Sequence, residues 1–99
     1  MEKFITSLGV YKGEPDSRVW IEGQRLNAAG FKVGATYTKK FNKVTIVLTL
    51  EEGGKLKVSQ RGMTPIIDLS GKKVREFFDG YSRVEVTYRD GTITYRGVK

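Results

Sequence analysis

The sequence contains no cysteine and no histidine among its 99 residues. Without cysteine there is no disulfide, thiol nucleophile or thiolate metal ligand, and without histidine the commonest general base and metal ligand are missing. These absences exclude serine–histidine triads, typical zinc-dependent hydrolysis and histidine-dependent ribonuclease chemistry. Carboxylate, lysine or tyrosine chemistry remains open. We predict no catalytic residue, no metal site, no cofactor and no enzymatic activity.

Long hydrophobic runs are also absent. No stretch approaches the ~18 to 20 apolar residues of a membrane-spanning helix, and the first residues alternate in polarity instead of forming a signal-peptide core. We therefore expect a cytoplasmic protein. The length fits one domain spanning residues 1–99, and a chain this short has little core to give up to an internal cavity. Function is expected on the surface.

Acidic residues are the scarcer charged class, since 18 lysines and arginines face 11 aspartates and glutamates, a net charge of +7. Such an excess favours a polyanionic partner. Basic residues cluster in three places, and clustered ammonium groups can follow a phosphate backbone. The predicted nucleic-acid-binding residues are Lys39, Lys40 and Lys43, then Lys55, Lys57 and Arg61, and finally Lys72, Lys73 and Arg75. An acidic protein partner and a merely solvated face are the two alternatives.

The chain contains the same element order twice. The first unit, residues 18–50, starts with a β-branched and aromatic strand in which we place Trp20 in the core. A short helix over 22–29 follows, Gly30 ends it, and two strands with a period of two complete the unit. The second unit, residues 64–99, has a strand, a helix with Ser70 as its N-cap, a stop at Gly80 and a closing hairpin.

Residues 51–62 join the two units. Their Glu-Glu-Gly-Gly sequence is typical of a tight hairpin, so we predict that residues 55–61 return beside the strand that precedes the turn. In this prediction Leu56 and Val58 face inward, and the outer side of the hairpin is basic. Each unit has one face that it cannot bury alone, so the two are expected to pack together.

The segment 18–34, which contains a strand, a glycine, a leucine and then Ala-Gly-Phe-Lys-Val-Gly, resembles the SymE-like branch of the AbrB-type swapped-hairpin barrels. The stretch 58–69 looks like the small domain that precedes the catalytic part of some phage-type DNA cytosine methyltransferases. The methyltransferase cofactor motif and cysteine nucleophile are missing here, so we expect no methyl transfer from this chain.

The first resemblance implies a mainly β, α+β fold with an open, partly closed β-barrel of AbrB type. The AbrB dimer forms between chains, but this chain contains two βαββ units, so we expect a small barrel built as an intramolecular AbrB/SymE-like pseudo-dimer, hence a monomer. The resemblance also implies binding of nucleic acid, DNA in preference to RNA, through basic residues on the barrel surface. A second hypothesis is a phage-encoded anti-defence inhibitor that blocks a nuclease, CRISPR or restriction complex. A third is a SymE-like RNA-targeting toxin, which the missing histidine disfavours.

Overall fold

The computed structural model describes residues 2–99, which form ten strands and two short helices. The strands are β1 Glu2–Ser7, β2 Gly9–Tyr11, β3 Glu14–Glu22, β4 Thr36–Phe41, β5 Thr45–Leu50, β6 Leu56–Lys57, β7 Ser59–Arg61, β8 Thr64–Ser70, β9 Arg83–Arg89 and β10 Thr92–Val98. The helices are α1 Gln24–Ala28 and α2 Lys72–Phe77. The mainly β class predicted from the sequence is confirmed.

The strands form two antiparallel sheets. One has six strands in the order β1-β9-β10-β5-β4-β6, and the other has four in the order β2-β3-β8-β7. Within residues 2–99 neither sheet closes into a barrel. The expectation of a barrel therefore holds only in its coarser form, two packed antiparallel sheets.

The strand pairing has an internal two-fold pattern. Each strand from β1 to β5 corresponds to the strand five numbers later, so that β1 matches β6 and β5 matches β10. If every strand is replaced by its counterpart, each sheet keeps the same strand order read in the opposite direction. The centre of each sheet joins the two sets, through the pairs β3–β8 and β5–β10. The backbone N–H of Gly23 donates to the Pro65 carbonyl at 3.1 Å, and that of Gly71 donates to the Ser17 carbonyl at 3.0 Å in the corresponding place.

The hairpin predicted around residues 51–54 is wrong. Strand β6 pairs with β4, with Leu56 opposite Tyr37, and not with β5. Strand β5 already has β4 on one side and β10 on the other, so the chain must cross to the free edge of β4. Gly54 permits this crossing, because a Cβ there would lie 2.7 Å from the Tyr37 carbonyl oxygen. The inward positions are confirmed, since Leu56 is half-buried and Val58 is buried.

The helix ends agree with the glycine pattern but not with the predicted cap. Gly30 and Gly80 follow the helices with φ of 91° and 88°, the left-handed conformation that a C-terminal glycine supplies without strain. Ser70 is the last residue of β8, and Gly71 takes the N-cap place of α2 with φ of 116° and no side-chain cap. The N-cap position requires a positive φ that glycine adopts freely and serine does not, so Gly71 and not Ser70 occupies it.

The core lies between the inner faces of the two sheets and the helices. Leu26 of α1 and Val74 of α2 are buried in it with the inward residues of the central strands. Trp20 is not a core residue, contrary to the prediction, because 36% of it is exposed. Its neighbours Val19 and Ile21 are buried, and since side chains alternate along a strand, the residue between them must point outward.

Candidate nucleic-acid interface

The side of the six-stranded sheet that faces away from the core, here called the outer face, is strongly basic. Side chains alternate along each strand and directly paired residues share a face, so the register assigns every residue to one side. The cations on the outer face are Lys3, Lys40, Lys57, Arg83, Arg89 and Arg96. Glu85 is the one carboxylate among the paired residues of this face. Six cations thus oppose a single anion.

The cations of the outer face stand among threonine hydroxyls. The threonines are Thr36, Thr38, Thr45, Thr49, Thr87, Thr92 and Thr94. In one row across neighbouring strands, Arg89 is followed by Thr92, Thr49 and Thr38. Hydroxyl and guanidinium groups are common donors to phosphate oxygens. Thr36 already donates to the Glu51 carbonyl and Thr87 is buried, but the other threonines offer hydroxyl groups between the charges. Ile5, Val47 and Val98 are the apolar residues of the face.

A second row sets the breadth of the face. It runs from Lys3 through Thr87, Thr94 and Val47 to Lys40, one residue from each of five strands. With ~4.8 Å between neighbouring strands, the two lysines are about 19 Å apart at their backbones. The positive charge is spread over a broad surface and not gathered into a pocket. An extended polyanion matches such a distribution better than a small anion does.

Carboxylates hold three arginines elsewhere on the molecule. Arg18 Nε lies 3.0 Å from Asp68, and Arg75 Nη1 lies 3.2 Å from Glu14. Arg25 pairs with Glu2. All three pairs are substantially exposed, and each places a negative charge beside a positive one. On the outer face, Arg83 Nη2 donates to the Lys99 main-chain oxygen at 3.0 Å, and Arg96 lies directly opposite Glu85.

The first predicted cluster divides between surfaces. Lys40 lies on the outer face, but Lys39 lies on the opposite side of β4, with its Nζ 5.6 Å from the Phe41 ring centroid. Lys43 lies in the turn between β4 and β5. The expectation that these lysines project toward one surface is wrong, because consecutive residues of a strand point to opposite faces.

The second predicted cluster divides in the same way. Lys57 lies on the outer face beside Thr36, whereas Lys55 precedes β6 and lines a cleft with Lys39. Arg61 belongs to the other sheet, with its guanidinium carbon 5.7 Å from the Trp20 ring centroid. Two of the nine predicted residues, Lys40 and Lys57, are thus on the outer face.

The third predicted cluster lies on α2 and not on a strand of either sheet. Lys72 and Lys73 are exposed, and Arg75 is the ion-pair partner of Glu14. The helix has six residues, too short for a developed helix dipole to add much to anion binding. Lys72 and Arg75 share a shallow cleft with Tyr11. This cluster does not join the outer face.

Four cations of the outer face were missed by sequence reasoning, namely Lys3, Arg83, Arg89 and Arg96. They are separate in the sequence, so a search for runs of basic residues passes over them. A signal was nevertheless present in β9, where Val84 and Val86 are buried between the outward Arg83, Glu85 and Thr87. Strand alternation, applied to the charged positions, identifies the side to which they point.

Residues 2–99 hold no group of three or more histidine, cysteine, aspartate or glutamate side chains placed to bind a metal ion. The titratable groups with displaced pKa values are tyrosines of the core: burial raises the pKa of Tyr37 and Tyr88, and that of Tyr95 most strongly. They remain neutral hydroxyls at physiological pH. Neither helix is long and apolar enough to cross a membrane.

The comparisons with known proteins give no further guide: no family model, curated protein or solved structure matches the chain. Its function must be inferred from geometry and charge.

Proposed function

We propose that this chain is a small non-enzymatic protein that binds nucleic acid, DNA in preference to RNA, through the outer face of its six-stranded sheet. The observation that supports the proposal is the distribution of charge: six cations against one carboxylate on a single face. Long-range attraction between such a surface and a polyanion raises the rate of encounter and the affinity. The preference for DNA rests on the resemblance to AbrB-type barrels.

Binding would proceed by neutralising phosphates. Six strands span about 24 Å, and a duplex of that length carries about 14 phosphate charges, more than the six cations can meet at once. The threonines would add neutral hydrogen bonds between the ionic contacts. Contacts of this kind hold a duplex in place without reading its bases. We therefore expect salt-sensitive binding with weak sequence preference.

We also propose that the fold is an intramolecular version of the AbrB/SymE-like pseudo-dimer. The pairing of β3 with β8 and of β5 with β10 supports this, because each unit completes both sheets of the other. Gly30 keeps the positive φ that the Ala-Gly-Phe segment requires.

Fluorescence anisotropy with labelled duplex DNA, single-stranded DNA and duplex RNA tests the function directly. We expect a dissociation constant below ~10⁻⁴ M at physiological salt, steep weakening as salt rises, and tighter binding to DNA than to RNA. A dissociation constant above ~10⁻⁴ M for every nucleic acid would be weaker than ordinary non-specific binding and would refute the proposal.

A pull-down from lysate with and without nuclease separates the other two hypotheses. An anti-defence inhibitor would retain a protein target after nuclease treatment, whereas a nucleic-acid-binding protein would lose its partners. An RNA-targeting toxin would retain RNA in preference to DNA.

A further inference from the structure

The solvent-facing side of the four-stranded sheet carries a ladder of aromatic and guanidinium groups. Arg18 has its guanidinium carbon 5.0 Å from the Tyr11 ring centroid and 5.5 Å from the Trp20 ring centroid. From the edge strand β7, at the other end of the strand order, the Arg61 guanidinium carbon lies 5.7 Å from the Trp20 ring centroid. The ladder therefore runs from β2 through β3 to β7, across the strand order of the sheet.

Carboxylates fix the central part of the ladder. Arg18 donates from Nε and Nη2 to the two carboxylate oxygens of Asp68, at 3.0 and 3.1 Å. Such bidentate pairing sets the orientation of the guanidinium plane. The indole N–H of Trp20 donates to Glu22 at 3.1 Å, which holds the ring while it stays 36% exposed. These groups are positioned before any ligand arrives.

Arg61 is the end of the ladder that no carboxylate in the described part of the chain holds. It is exposed on the short edge strand β7, and within residues 2–99 its described contact is the Trp20 ring, with no carboxylate partner. Its charge is therefore available to a phosphate. Its guanidinium plane can also move off the indole to admit another flat group, or stack on that group itself.

We propose that this ladder, defined by Tyr11, Arg18, Trp20 and Arg61, is a stacking surface for unpaired bases of a single-stranded nucleic acid. The inference rests on the proposed function and extends it to a second face. Bases stack on aromatic rings and on arginine planes, and sheet faces with two exposed aromatic residues accommodate two or three bases in this way. Arg61 would contact the backbone beside the stacked base.

The surroundings of Trp20 favour a nucleic acid over a protein partner. Protein hot spots lie in well-packed pockets ringed by residues that exclude water. Around Trp20 the neighbours are charged and accessible, since Arg18, Glu22, Asp68 and Arg61 surround the ring. Of these groups, Arg61 can meet the phosphate, whereas the carboxylates of Glu22 and Asp68 can accept hydrogen bonds from the amino groups on a base edge.

The decisive measurement uses the intrinsic fluorescence of Trp20, which is the sole tryptophan of the chain. A base stacked on the indole quenches its emission, whereas binding at the outer face leaves Trp20 in its original surroundings. We therefore expect saturable quenching on titration with an oligo-dT of about 12 nucleotides, a length within the usual range of single-strand sites. Duplex DNA should bind with little quenching.

Two variants test the ladder by independent routes. Trp20→Leu should weaken oligo-dT binding about tenfold, from the loss of one stacked base, when followed through a labelled oligonucleotide. Arg61→Ala keeps the tryptophan and should weaken binding and quenching together, so the test survives if the first variant folds poorly. Lys32→Ala is the matched control: it removes one exposed positive charge from the α1–β4 connection and should change binding by less than twofold.

The outcomes distinguish the inference from the proposed function. If oligo-dT binds but Trp20 emission is unchanged and Arg61→Ala behaves like Lys32→Ala, the ladder proposal is wrong. The proposal that the outer face binds nucleic acid would then still stand. If no nucleic acid binds at all, both proposals fail. A purified protein partner that binds the unmodified chain but not Trp20→Leu, without nucleic acid present, would assign the ladder to protein recognition and overturn the inference.

Discussion

Lys39 and Lys40 are adjacent in β4, and their side chains leave opposite faces of the six-stranded sheet. Lys40 pairs with Val47 on the outer face, whereas Lys39 pairs with the buried Leu48 and reaches over the Phe41 ring. Both side chains are exposed and both carry the same charge. The two lysines therefore match in charge and exposure and differ in the face of the sheet from which they project.

Charge reversal at these two positions should therefore have unequal effects on DNA binding. Lys40→Glu replaces an attraction of about 1 kcal/mol or more with a repulsion, and we expect at least tenfold weaker duplex binding. In Lys39→Glu the new charge is separated from DNA on the outer face by the thickness of the sheet, which exceeds the ~8 Å Debye length at physiological salt. We therefore expect duplex affinity to fall threefold or less. Anisotropy titrations of both variants measure the difference.

Equal losses would show that net charge, and not the outer face, governs binding. Thermal unfolding serves as the control, because exposed charges contribute little to stability and both variants should melt close to the unmodified protein.

The salt dependence of binding should report how many outer-face cations contact phosphate. Each neutralised phosphate contributes roughly −0.9 to the slope of log K against log salt concentration. The double variant Lys40→Ala, Arg96→Ala should make that slope shallower by about 1.8. The double variant Lys32→Ala, Lys39→Ala has the same net charge and should keep the original slope. A slope that falls equally in both would contradict the assigned face.

Much of the fold follows from local sequence patterns. The two helices, the glycines that follow them and the closing hairpin of the second unit are encoded by residues close to one another, so the sequence predicted them. The partner of β6 was not predictable in this way. Its choice of β4 depends on β10 occupying the other edge of β5, a long-range relationship that no local pattern carries.

The candidate site was harder to predict for a related reason. Basic runs are visible in a sequence, but a sheet face is assembled from alternate residues of strands that are distant in the chain. Arg96 and Lys40 thus belong to one surface while Lys39 does not. Trp20 was within reach of sequence reasoning, because the buried Val19 and Ile21 on either side of it require an outward side chain.

The glycines at the helix ends should be intolerant of side chains. Gly30→Val and Gly80→Val each force a β-branched residue into positive φ, and we expect about 1 kcal/mol or more of lost unfolding free energy for each. Gly30 should lose more, because its added Cβ would lie 2.9 Å from Leu50 Cδ1, whereas nothing lies within 4 Å at Gly80. Urea denaturation measures both.

Gly9 supplies the control for these substitutions. A Cβ at Gly9 would meet its nearest atom at 3.7 Å, an ordinary contact, and its φ is not in the positive range. Gly9→Ala should therefore change stability little. A comparable loss in all three variants would indicate that backbone conformation is not the cause.

The buried hydroxyl of Tyr95 should lower the free energy of unfolding. It is fully buried and has no hydrogen-bond partner among the described residues. An unsatisfied buried polar group costs about 1 to 3 kcal/mol, so Tyr95→Phe should raise the free energy of unfolding at neutral pH by about 1 kcal/mol. A loss of stability in denaturant unfolding would show that the hydroxyl is in fact satisfied.

The same residue should make the protein sensitive to alkali. Burial raises the pKa of Tyr95 well above its usual value of 10.0, with smaller contributions from Tyr88 and Tyr37. Below pH 10 both folded and unfolded states keep the proton, and the stability is fully present. Above pH 10 the unfolded state loses the proton first, so stability falls by up to about 1.4 kcal/mol per pH unit for each such tyrosine. Tyr95→Phe should make this decline shallower, and an unchanged decline in unfolding curves between pH 9 and 11 would contradict the assignment.

The free protein should be a monomer at micromolar concentration. In a swapped-hairpin dimer two chains exchange strands to complete each sheet, but here β3–β8 and β5–β10 make both central pairings within one chain. The strands left at the sheet edges, β1, β6, β2 and β7, include three of three residues or fewer, which offer few backbone groups to another copy. The net charge of +7 also opposes association. Light scattering should give a mass near 11.2 kDa, and a mass about twice that value would count against the intramolecular pairing.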